Sequence, residues 1–167
     1  MMKNPDNFTH IDEKGRAKMV DVSDKKVALR AAKARGYIIL NKDIIGKIKD
    51  NQLEKGDVLT VAKIAGVSAA KKNWELIPLC HQIRLTDVDI DFRILEKENK
   101  IEAVAKVKGF DVTGVEMEAL MAVSISLLAI YDMCKAVSKE MRIEGIELLE
   151  KTGGKGYYLK NYQNRRI

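Results

Sequence analysis

At 167 residues the chain is long enough to bury a substantial core without disulfide or metal staples, and 1–167 reads as a single domain. The charged fraction is 32%, above the usual ~25%, and a net charge of +6 favours an anionic partner, either nucleic acid or a phosphorylated small molecule. An aromatic fraction of 5% argues against a base-stacking surface, and the polar start Met1–Thr9 argues against a signal peptide.

Residues 1 to about 15 are polar and end in a Lys14-Gly15 turn signal, so a flexible N-terminus is expected. Lys18 to Val22 reads as a short strand. Val27 to Leu40 is ambiguous: its alanines favour helix, whereas Tyr37-Ile38-Ile39-Leu40 favours strand. Asn41 can cap a short helix that puts Ile44, Ile45 and Ile48 on one face. Lys55-Gly56-Asp57 is a turn into a second helix, capped by Asp57, with Val58, Val61, Ala62, Ala65 and Ala69 at helical spacing. That helix must end before Pro78, since a residue preceding proline is pushed out of the helical region. Leu79 to Ile83 is then a loop holding Cys80 and His81.

Thr86 to Leu95 alternates strictly, with Val88, Ile90, Phe92 and Ile94 one way and Asp87, Asp89, Asp91 and Arg93 the other. This is a strand with one wet face. Glu98-Asn99-Lys100 turns it into a second strand over Ile101–Lys108. A long helix over Thr113–Lys139, a strand over Ile143–Leu149 and a basic, Gly-rich tail over about 151–167 follow. The fold class is α+β: a ferredoxin-like antiparallel sheet packed with helices.

The long helix carries no charge from Ala119 to Tyr131, and a helix apolar on every side must be buried all round. That run is short of the ~20 residues that span a bilayer, so a cytoplasmic protein without a membrane segment is expected. Its polar ends, Glu116-Met117-Glu118 and Asp132-Met133-Cys134-Lys135, are costly to desolvate unless paired or used. Glu116 and Glu118 point to different faces, so one of them at most should face a given pocket wall. Asp132 and Lys135 share a face. Glu118 and Asp132 are fourteen residues apart (132 − 118), roughly 21 Å along a continuous helix. Either the helix breaks, or two such helices pair antiparallel across a two-fold axis; the second also explains the all-round apolar surface, so an oligomer with composite sites is expected.

Lys55 can be aimed at an anion by its turn. Lys151-Thr152-Gly153-Gly154-Lys155-Gly156 has the composition of a phosphate-cradling loop but not the spacing of a P-loop. His10, Cys80, His81 and Cys134 have the residue types of a zinc site, yet none of its short paired spacings.

Lys55-Gly56-Asp57-Val58, Leu76-Ile77-Pro78-Leu79-Cys80-His81, Thr113-Gly114-Val115-Glu116-Met117-Glu118-Ala119-Leu120 and Tyr131-Asp132-Met133-Cys134-Lys135-Ala136 together resemble the cyclic pyranopterin monophosphate synthases of molybdenum cofactor biosynthesis. The resemblance implies a lyase that converts 3′,8-cyclo-7,8-dihydro-GTP into cyclic pyranopterin monophosphate and diphosphate. It also implies a preceding radical-SAM enzyme, no metal or organic cofactor, no nucleic-acid or membrane partner, and a homohexamer built as a trimer of dimers. Carried over by motif, Asp132, Lys55 and Lys135 are the catalytic positions. Leu79, Cys80, His81, Glu116, Met117 and Glu118 line the substrate pocket, and Arg30, Lys151 and His81 lie toward the phosphates. Two departures stand out: Gln82 replaces the family's usual proline, and Thr152-Gly153-Gly154-Lys155-Gly156-Tyr157 replaces the commoner Ser-Gly-Gly-Lys-Ser-Gly. Two readings rival it: an RNA-binding module, which accounts for the charge but not for the buried helix with acidic groups at one end, and a nucleotide-sensing oligomer that binds a purine triphosphate without turnover.

Overall fold

The computed structural model describes residues 14–154 and 156–160. Most of the N-terminus expected to be flexible, His10 included, lies outside the described residues, as do Lys155 and residues 161–167 of the tail. Strand β1 (Ala28–Ile39) is followed by helices α1 (Lys42–Lys49), α2 (Val58–Lys71) and α3 (Asn73–Leu76). The hairpin β2 (Leu85–Leu95) and β3 (Lys100–Asp111), helix α4 (Glu116–Cys134) and strands β4 (Arg142–Thr152) and β5 (Tyr158–Leu159) complete the order. The sheet runs β2-β3-β1-β4-β5, antiparallel throughout. Two crossovers, β1 to β2 and β3 to β4, place α2 and α4 on one face. This is the ferredoxin-like arrangement.

Local signals account for several boundaries. Asn41 accepts from the Ile44 amide at 2.9 Å, and Asp57 accepts from the Thr60 amide at 3.1 Å, capping α1 and α2. Asn99 takes the left-handed conformation at φ 51° to close the β2–β3 turn. Tertiary packing decides the others. Val27–Leu40 forms a strand because Ala32, Ala34, Gly36 and Ile38 face inward under α4, where small side chains let a helix lie close. Lys18–Val22 is not a strand. The chain there is irregular and turns through Val22–Lys25, held by the Lys25 amide on the Val22 carbonyl at 3.0 Å. Helix α4 is shorter at both ends than expected, since the Thr113-Gly114 loop precedes it and residues after Cys134 turn back toward β4.

The helix pair meets through small residues. A side chain at Gly66 would collide with Ser126, Ile90 and the Ala122 backbone, and Ser126 Oγ donates to the Ala62 carbonyl at 3.0 Å. Ser126, polar inside an apolar run, thus spends its hydroxyl on the neighbouring helix. By length and composition α4 could cross a membrane, but half of its most apolar window is buried inside the chain.

The expectation that α4 is covered on every side is not met within one chain. Sheet and α2 cover two flanks, while Met117 and Leu128 remain 39% and 51% exposed. On α2, Val61 and Ile64 are exposed as well.

Gly66→Ala should therefore force α2 from α4 and cost about 1–3 kcal/mol, the usual penalty of overpacking. Urea unfolding checks this; a midpoint equal to wild type would contradict the close-contact account.

Candidate active site

The candidate residues gather at the two ends of α4. At its start, Glu116 pairs with Lys151 at 2.7 Å. Lys151 is not part of a tail: β4 continues to Thr152 because its pairing with β1 (Ala32 opposite Lys151) persists that far. The glycine loop begins only at Gly153. Arg30 points inward from β1, 8% exposed, and donates to the Asp111 and Val112 carbonyls at 3.2 and 3.1 Å. Those carbonyls satisfy donors without neutralising the guanidinium. Gly153 and Gly154, at φ 94° and 71°, cross directly over it, and a Cβ on either would strike Arg30 or the Leu29 carbonyl.

Arg30, Lys151 and Glu116 line a cavity of about 810 Å³ whose far wall includes Asp21, Asp24, Lys25 and Lys26. A second hollow of about 290 Å³ is lined by Leu79, Cys80, His81, Glu116, Met117 and Glu118. The two share Thr113, Gly114 and Glu116, so they adjoin. Glu116 and Glu118 both line the second hollow, contrary to the one-wall expectation. At a helix start the incoming loop wraps the terminus, and both faces can meet one cavity.

Glu118 is buried, 4% exposed, and accepts from Asn73 Nδ2 at 2.9 Å. Burial pushes its carboxyl above the ordinary glutamate value; the Asn73 bond opposes this and neighbouring Glu116 reinforces it. Burial likewise raises the Cys80 thiol. Asn73 itself escapes sequence reading, because an asparagine after two lysines looks like surface.

At the far end, Lys55 donates to the Asp132 carboxylate at 3.1 Å and to its backbone carbonyl at 3.0 Å, and Lys135 meets the same carboxylate at 2.7 Å. All three are well exposed within the chain. Lys135 and then Lys55 hold the Asp132 carboxyl below its ordinary value, and Asp132 in turn holds Lys135 above its own. Cys134 beneath them is fully buried, its thiol pushed up to about 11 by burial. Among the described residues no three His, Cys, Asp or Glu side chains form a metal-holding group. Helix α4 is unbroken over its 19 residues, so the two groups stay apart within one chain.

Residues 19–154 match the model of the MoaC family. The chain belongs to the MoaC family. It is 51% identical over 156 residues to the cyclic pyranopterin monophosphate synthase of Heliobacterium modesticaldum, covering 93% of this chain and 98% of that protein. The corresponding synthase of Peptoclostridium acidaminophilum is 53% identical over 148 residues, 89% and 93% of the two chains. That of Bacillus mycoides is 51% identical over 158 residues, 93% and 98%. The MoaC match spans every candidate residue from Arg30 to Lys151, and so both ends of α4.

Glu118 keeps its proton to higher pH in the folded chain than in the unfolded one. Its stabilising effect is full below about 4.5, the ordinary value, and is lost as pH rises through the raised one. Glu118→Gln should flatten that fall when unfolding free energy is measured across pH; an unaltered slope would assign it to another group.

Proposed function

We propose that this chain is a cyclic pyranopterin monophosphate synthase, a lyase acting on 3′,8-cyclo-7,8-dihydro-GTP and releasing diphosphate, early in molybdenum cofactor biosynthesis. The observation that carries the reading is the sorting of two charged groups to opposite ends of one unbroken helix, beside an open apolar stripe. Identity near one half to synthases of that name, over almost the whole chain, supports it.

The working site is composite. An antiparallel two-fold pairing covers the Met117–Leu128 stripe and brings the Lys55–Asp132–Lys135 group of one chain to the Glu116–Glu118 end of another. A hexamer built as a trimer of such dimers, in the cytoplasm, fed by a radical-SAM cyclase, is the assembly we favour.

The division of labour follows from charge. Arg30 and Lys151, with His81 nearby, offer cations to the phosphates and to the departing diphosphate. The hollow between Leu79–His81 and Met117 receives the purine-derived ring. Rebuilding that ring requires repeated proton transfers, for which Lys55, Lys135 and Glu118 are the exchangeable groups. Asp132 stays ionised and holds Lys135 as an ammonium, so Lys135 enters as a proton donor while Asp132 orients it.

Lys135→Ala and Glu118→Gln should each slow diphosphate release by about 10²-fold or more. Refolded together in equal amounts, they should recover about a quarter of the wild-type rate, because half of the pairs are mixed and each mixed pair keeps one intact site. Mixing without recovery would sink the composite site. A wild-type protein that binds the substrate yet releases no diphosphate would sink the lyase.

A further inference from the structure

Asn73 has no solvent exposure and lies in α3, between α2 and the Leu79–His81 loop. Its Nδ2 donates to Glu118 Oε1, whereas its Oδ1 has no hydrogen-bond partner among the described residues. An unpaired buried carbonyl oxygen is costly and calls for an explanation. The same amide opposes the rise of the Cys80 thiol, so it acts on both Cys80 and Glu118, which line the smaller hollow.

The two ends of an amide suit the two states of a carboxyl. As oriented, the NH2 group donates to Glu118 Oε1, the bond that suits an ionised carboxylate. Turned by half a rotation about its last bond, Asn73 presents Oδ1, which accepts the proton of a neutral Glu118. A carboxyl with such a neighbour keeps a hydrogen bond whether or not it holds its proton. A donor-only partner such as lysine could donate to either form but could not accept the acid proton of the neutral one.

The geometry points to Asn73 as a positioning residue that holds Glu118 at the hollow in both protonation states, more strongly in the ionised one that its present bond serves, so that Glu118 can exchange a proton with a bound substrate. This rests on reading the hollow as the substrate site. The other ionisable groups facing Glu118 are Glu116 on its own helix and Cys80 and His81 on the loop. Glu116 is already paired with Lys151. Asn73 is therefore the neighbour whose replacement by leucine removes a hydrogen bond without changing charge.

The test compares Asn73→Leu and Asn73→Asp with wild type, using ¹³C NMR of protein labelled at the glutamate carboxyl carbon. The Glu118 signal is identified by its loss in Glu118→Gln. Both variants should move the Glu118 titration to higher pH, the aspartate further because it adds a like charge. The limb of the kcat/KM pH profile that Glu118→Gln abolishes should move with it, and kcat should fall about tenfold while KM changes less than about twofold. An unmoved Glu118 titration in either folded variant overturns the inference; the near-isosteric aspartate keeps the test open if leucine prevents folding. A Glu118 titration that moves while the pH profile stays put also overturns it, reducing Asn73 to a structural partner. Wild-type protein that releases no diphosphate overturns the functional reading instead, and the NMR result then still decides the Asn73–Glu118 pairing.

Discussion

Helix α4 cannot fold back on itself, and the two charged groups of the chain sit at opposite ends of that rigid rod. Its hydrogen-bond ladder runs unbroken from Glu116 to Cys134, which keeps Glu118 and Asp132 roughly 21 Å apart. The stiffness has a packing origin. Ala32, Ala34 and Gly36 of β1 offer a shallow floor, and Gly66 of α2 allows flank contact close enough for Ser126 to bond a carbonyl across the helix pair. The helix itself holds no proline or glycine at which to kink. Any chemistry needing both of its ends must then take the second end from another molecule, and the open Met117–Leu128 stripe offers the surface for it.

The carboxylates at the two ends are prepared in opposite senses. Burial moves the Glu118 carboxyl above its ordinary value, while two ammonium groups hold that of Asp132 below its own. Environments that push two carboxyls apart are how one site runs acid and base steps at a single pH. Here the separation is produced by position along one helix. The start is walled in by the Leu79–His81 loop, and the end is left in water beside Lys55 and Lys135.

What could be read from the residues follows the range of the forces involved. The caps at Asn41 and Asp57 and the alternation of β2 depend on neighbours within a few positions, and the sequence shows them. The strand identity of Val27–Leu40 does not, because the alanines that argue for helix are there to fit beneath α4. Lys151 reads as tail because glycines follow it, yet pairing with β1, more than a hundred positions earlier, keeps it in a strand. The site divides in the same way. Polar groups bounding an apolar helix were visible as an anomaly, but the contact of Lys55 with Asp132, 77 positions away, follows only from the fold or from a family resemblance. Asn73 was invisible on both grounds, since its burial depends on α4.

The Lys55–Asp132–Lys135 group has one consequence that its exposure conceals. It carries two ammonium groups for one carboxylate. In water the surplus positive charge is tolerated, and exposed ion pairs of this kind contribute little to stability. Covering the group with a second chain removes that water and makes the surplus expensive. Two outcomes relieve it: an anionic portion of the substrate moves in beside the lysines, or one lysine passes its proton to the bound substrate. The first is binding and the second is acid catalysis, so pairing of the chains would supply the drive for both.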